Sequence, residues 1–160
     1  MIYSRVVELI EKLDRGIAKT TEFFEALDHD KWDQQISDED GAWTVKELVG
    51  HFVTSEDYLL KIAKDIASGG EGAPRDTNID KINQEDVNKF PKLPLGDLLN
   101  LLIDTRRKTV EWVQELDEAT LDMIGYHPTL GTSNVETVIF SIYAHQLLHM
   151  REVVPRLKEK

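Results

Sequence analysis

The chain has 160 residues, with 30 Asp plus Glu against 19 Lys plus Arg, a formal net charge of -11 and 41% hydrophobic residues. These values predict one globular domain over residues 1–160 with a real core, and they argue against nucleic-acid or membrane-surface partners, both of which are anionic. There are no cysteines, which excludes disulfides, thiolate metal ligands and a cysteine nucleophile; any thiol chemistry needs a thiol brought by a small molecule.

The start of the chain, Met-Ile-Tyr-Ser-Arg-Val-Val-Glu, holds no long apolar run. Neither a signal peptide nor a membrane span is expected there, and a cytoplasmic location is the default. Ile2, Val6, Ile10, Leu13, Ile17, Phe24 and Leu27 then recur at helical spacing and define the apolar face of a first helix. The stretch from Asp28 to Gly41 is polar and acidic and reads as a loop, with His29 exposed. An EF-hand fails here, because the fifth loop position is Trp32 and the sixth is Asp33, where the motif needs glycine.

The second helix announces its start. Thr44 and Glu47 make a T-x-x-E capping box, and Trp43 and Leu48 are placed to close a hydrophobic staple, a structural job preferred to substrate stacking. Leu48, Phe52, Leu59, Ala63 and Ile66 carry the stripe onward until Gly69-Gly70-Glu71-Gly72-Ala73-Pro74 ends it. That glycine cluster lacks the Gly-Lys-Ser/Thr of a phosphate loop and reads as a linker. A short helical piece is expected over Ile82–Lys89, and a third long helix over Leu95–Leu116 that contains the short basic run Arg106-Arg107-Lys108. A loop through Gly125-Tyr126-His127-Pro128 follows, with His127 read as an ordinary loop residue. Ser133 and Glu136 are positioned as a second capping box opening the last helix, which Pro155 should kink or end. Four long helices make an all-α four-helix bundle, with a long connection between helices 2 and 3.

Three histidines sit where such a bundle expects Leu or Val. His145 and His149 lie one turn apart on a stripe read as Val138, Ile142, His145, His149, Glu152 and Arg156, and His51 follows the capped start of helix 2. A buried imidazole needs a partner, and one divalent ion can serve several, leaving open positions for water or substrate. Ser55, one turn beyond His51, and Asn83, in the long connection, are candidate contacts for a bound small molecule. Gln84 and Glu85 are further polar candidates, against the plainer reading of this stretch as a solvated turn. Tyr58 and Tyr143 read as half-buried bundle residues.

Trp-Thr-Val-Lys-Glu-Leu-Val-Gly-His in helix 2 and Ala-His-Gln-Leu-Leu-His-Met-Arg-Glu-Val in the last helix resemble the DinB/YfiT-like metalloenzyme family, over nearly the whole chain. The resemblance implies His51, His145 and His149 as metal ligands, a nickel or zinc ion (iron or manganese being the other choices) and a homodimer. It also implies a metal-dependent transferase acting on a small molecule with a thiol such as bacillithiol or mycothiol. Two alternatives stand beside it: a hydrolase or lyase using a bound hydroxide, and a non-catalytic bundle that binds a small molecule or a partner. One departure is visible: the family commonly places Gln three positions after the last His, and here Glu152 stands there, able to orient His149 or to pair with Arg156.

Overall fold

The structure is a computed structural model that describes residues 4–36, 43–87, 89–90 and 93–158. Its elements are α1 (Arg5–Glu25), a 3-10 turn (His29–Lys31), α2 (Val45–Ala67), α3 (Ile79–Val87), α4 (Leu95–Gln114), α5 (Glu118–Leu121), β1 (Ile124–His127), β2 (Gly131–Asn134) and α6 (Val135–Lys158). α1, α2, α4 and α6 form a four-helix bundle in which α2 packs on α4 and α6, and α1 packs on the same two helices. Consecutive helices α1 and α2 are therefore diagonal, while α2 and α6, which carry the three histidines, are neighbours. Among the described residues no helix is long and apolar enough to cross a membrane.

Local chemistry sets the helix starts. Thr44 Oγ1 accepts from Glu47 N at 3.2 Å while Glu47 Oε2 accepts from Thr44 N at 2.7 Å, the reciprocal box expected from the sequence. The second expected box does not form. α6 begins at Val135 and is capped by Asn134, whose Oδ1 accepts from Thr137 N at 2.8 Å; Ser133 belongs to β2 and donates to the Gly131 carbonyl. Its intended partner, Glu136, instead meets Arg5 at 2.9 Å, within a cluster where Arg5 also holds Glu118 and Asp122.

The loop expected around His127 is an antiparallel hairpin, pairing Tyr126 with Thr132 and His127 with Gly131. Gly131 takes φ 77°, which the tight return requires. The connection after α2 is stitched to this hairpin: Tyr126 N donates to Glu71 O at 2.8 Å and Ala73 N to Tyr126 O at 2.9 Å. Gly72 makes that approach possible, with φ 86° and a hypothetical Cβ only 2.6 Å from Tyr126 O. α3 begins three residues earlier than expected and ends near Val87, and α6 runs through Pro155 to Lys158 without ending there. Ile2, assigned to the first apolar face, and the end of the Asp28–Gly41 loop lie outside the described residues.

Two apolar clusters fill the bundle. One gathers Leu9, Leu13, Ile62, Ile66, Val113, Val138 and Ile142; the other gathers Phe24, Leu48, Phe52, Leu98, Leu102, Val153 and Leu157. A polar layer lies at the level where they meet. In it Arg106, buried and not part of a surface run, binds Glu56 through Nε at 2.7 Å and Nη2 at 3.1 Å, and gives Nη1 to the Leu13 carbonyl at 2.6 Å. Thr109 Oγ1 lies 2.9 Å from Glu56 Oε1, and Gln146 Nε2 donates to Glu56 Oε2 at 3.2 Å. This network touches all four long helices.

Candidate metal centre

α2 and α6 present the three histidines across their shared interface. His51 is buried; His145 and His149 are partly buried. His145 Nε2 lies 3.0 Å from His51 Nε2 and 3.1 Å from His149 Nε2, and one nitrogen from each ring falls within 4.8 Å of the others. Two nitrogens bound to one ion at about 2.0–2.1 Å stand about 2.9–3.4 Å apart, so both short separations suit a common cation. Hydrogen bonding cannot account for the convergence by itself. Each ring nitrogen offers one in-plane site, a proton or a lone pair, yet His145 Nε2 faces two nitrogens at once.

The tautomer of His145 follows from its other side. Ser55 Oγ donates its proton to the His51 carbonyl at 2.6 Å, so at 3.4 Å from His145 Nδ1 it can only accept. Nδ1 of His145 thus carries the proton and Nε2 a lone pair, the form that binds a metal. His51 has no such support: its Nδ1 is buried without a hydrogen-bond partner among the described residues. Its ring is held by packing, with Trp43 at 4.4 Å between ring centroids and tilted 46°. Trp43 also packs on the cluster containing Leu48 and lies 6.2 Å from His149, so its structural job extends from the helix start to the histidines.

Burial, together with the neighbouring rings, pushes His51 down to about 3 and His145 down to about 4. Burial lowers His149 as well, against a smaller upward pull from Glu152. The cluster is therefore neutral at physiological pH, three lone-pair donors with no charge of their own. Glu152 and Arg156 do not continue the inward stripe. Both are exposed, Arg156 donates to the Ile36 carbonyl at 3.2 Å, and the inward positions are Val153 and Leu157. Four-residue steps from His149 keep facing the core, whereas the three-residue step to Glu152 turns out.

A cavity of about 350 Å³ opens beside the histidines, lined by His51, His145, Ser55, Tyr58, Asn83 and Phe140 among others. α3 supplies one wall, on which Asn83 stands with Ile79, Ile82 and Asp86. Gln84 and Glu85 are exposed and do not line the cavity. Ser55, a candidate ligand contact, reaches the cavity but spends its hydroxyl on His51 and His145. His127 lines the cavity too, buried and not an ordinary loop residue. Ser141 Oγ accepts from its Nε2 at 3.1 Å, since that hydroxyl donates to the Val138 carbonyl, while Nδ1 accepts the Thr129 and Leu130 amides. His29 is exposed, as expected, and stacks on Trp32 at 4.0 Å.

The DinB superfamily model matches residues 12–153. The chain belongs to the DinB superfamily. Among solved structures, this DinB-superfamily chain is similar to YfiT from Bacillus subtilis, described as a probable metal-dependent hydrolase with an unusual four-helix bundle topology. The TM-score is 0.76 at 19% identity, over 97% of this chain and 87% of that one. It is also similar to a mycothiol-dependent maleylpyruvate isomerase, with a TM-score of 0.75 at 13% identity over 92% of this chain; it spans 60% of that protein. An uncharacterised protein from Clostridium difficile 630 matches end to end, with a TM-score of 0.76 at 15% identity over 99% and 98% of the two chains. At these identities the likeness shows the fold, the four-helix bundle expected from the sequence. A search of curated protein sequences found no match. This DinB-superfamily bundle thus carries a three-histidine cluster able to hold a divalent metal.

Proposed function

We propose that His51, His145 and His149 bind one divalent ion, nickel or zinc first among the choices, and that the protein is a metal-dependent transferase joining a small electrophile to a low-molecular-weight thiol. The observation that carries this reading is the convergence of three neutral imidazole nitrogens beside a mostly apolar cavity. When bound, such an ion acts as a Lewis acid with open positions and lowers the pKa of a thiol or water held there. Neutral histidines leave its charge undiminished. The chain's own residues do the rest. Ser55 holds the His145 ring in the ligating tautomer, Trp43 holds His51 by packing, and the apolar walls keep bulk water from the reacting sulfur. Asn83, on the α3 wall of the cavity, would hydrogen-bond the substrate. The missing cysteines agree with a thiol supplied from outside.

Hydrolysis by a bound hydroxide is the second reading, favoured by the likeness to YfiT. Turnover of electrophilic substrates by metal-loaded protein, with and without bacillithiol, mycothiol or glutathione, separates the two. Product that forms only with thiol is the expected result; product formed from water alone selects the hydrolase. A protein that binds the ion and turns over nothing would be a binding module.

A further inference from the structure

The proposed reading leaves the substrate class open, and the cavity walls narrow it. Among the described residues no lysine or arginine lines the cavity. His127, which does, accepts two amide protons at Nδ1 and so carries a single proton, giving no fixed positive charge. Asp86, one turn beyond Asn83 on α3, is the one carboxylate among the described residues of the wall and is 8% exposed. Its partner Lys89, 2.7 Å away, has a side chain 59% exposed and stands outside the lining. The remaining surface is apolar, and it stays apolar at the mouth, where Leu130, Phe140 and Leu148 are 57%, 40% and 60% exposed. Such exposed apolar side chains gathered around one opening are more often part of a binding site than scattered surface residues.

Among the described residues that line the cavity, a ligand carboxylate or thiolate therefore finds positive charge only where the histidines would hold an ion. A second anionic group elsewhere in the cavity would lose its hydration without a cation among the described lining residues to meet it, and would face Asp86, whose charge Lys89 already shares from outside the lining. We infer, on the reading that the histidines hold an ion, that the cavity selects molecules with one anionic head and an apolar body, and that Asp86, on the α3 wall, is a specificity residue that rejects a second anion and accepts an ammonium or other N–H donor. A dicarboxylate such as maleylpyruvate is a poor fit to this chain.

Three probes of equal length test this: hexanoate, adipate and 6-aminohexanoate, which share a head and differ only at the distal group. Calorimetric titration into metal-loaded protein should show adipate binding at least 10-fold more weakly than hexanoate, and 6-aminohexanoate at least as tightly as hexanoate. In Asp86→Asn the gap between adipate and hexanoate should shrink to about 3-fold or less, and the advantage of 6-aminohexanoate should disappear. Adipate binding as well as hexanoate, an order unchanged by the substitution, or no binding of any probe to metal-loaded protein would each overturn the inference. Metal content is measured on the same samples. Protein that holds no ion yet ranks the probes this way overturns the metal reading and leaves the role of Asp86 standing.

Discussion

Ser55 sets the proton on His145: its hydroxyl gives its hydrogen to the His51 carbonyl at 2.6 Å and so receives one from His145 Nδ1 at 3.4 Å. One side chain thereby links the two helices that carry the histidines and prepares a lone pair on the ring that faces the other two. Ser55→Ala should lower metal affinity about 10-fold, the usual scale for losing a group that orients a ligand, with little change in helix content. Competition against a chelator of known affinity, with circular dichroism alongside, measures both. Unchanged affinity would mean that packing alone orients His145.

The paired substitution His145→Ala, His149→Ala should abolish stoichiometric metal. Elemental analysis after purification without chelators gives the answer, and full occupancy would reject the site. The metal-induced rise in melting temperature should vanish in the same variant, because an ion bound only by the folded state stabilises it by mass action.

Trp43→Leu keeps an apolar residue before the Thr44–Glu47 cap and removes the ring packed on His51. Among the described residues His51 Nδ1 has no hydrogen bond to replace that contact. Metal affinity should fall several-fold, with the helix start preserved. Loss of α2 helicity with affinity intact would return Trp43 to a purely structural role.

The metal-free protein should lose stability in mild acid. His51 and His145 sit near 3 and 4 when folded and near 6.5 when unfolded. Both pKa values are depressed, so the unfolded chain binds protons first. Their contribution is complete above about pH 6.5 and is lost as pH falls from there towards 3, by up to about 1.4 kcal/mol per pH unit for each ring. Urea denaturation at pH 7.5 and 5.0 should show the drop, and His51→Gln should reduce it. Equal stability at the two pH values in metal-free protein would contradict the neutral state of these rings.

Arg106 meets Glu56 through two nitrogens in the bundle interior, so removing either partner strands a charge. Arg106→Met should destabilise the protein by about 3–5 kcal/mol, and the double change Glu56→Gln, Arg106→Met by clearly less. Denaturant midpoints of the two variants decide it. Equal losses would show that the pair is not coupled.

Much of the fold and of the histidine cluster was legible in the residues. The capping box at Thr44 and Glu47, the helical spacing of apolar positions and imidazoles on an apolar stripe are local signals that packing did not override. Other features depended on contacts distant in sequence. Arg106 looks like part of a surface run beside Arg107 and Lys108, yet it stands four residues after Leu102 and three before Thr109, both fully buried. Glu56, set among the buried residues of α2, was the matching signal. The hairpin was hidden because its strands are four residues each and one ends at the start of α6. The pairing of that hairpin with Glu71 and Ala73, like the Arg5 cluster, spans too much chain to be read from periodicity.

Gln146 stands between His145 and His149 in sequence, and Glu56 follows His51 by five positions, so the bond between Gln146 and Glu56 braces α2 against α6 behind the histidines. That bond helps set the spacing of α2 and α6, and on the proposed reading it bears on the radius of the ion that the three rings would hold without meeting that ion itself. On that reading, changes at Glu56, Arg106 or Gln146 would shift metal preference while His51, His145 and His149 stay the same.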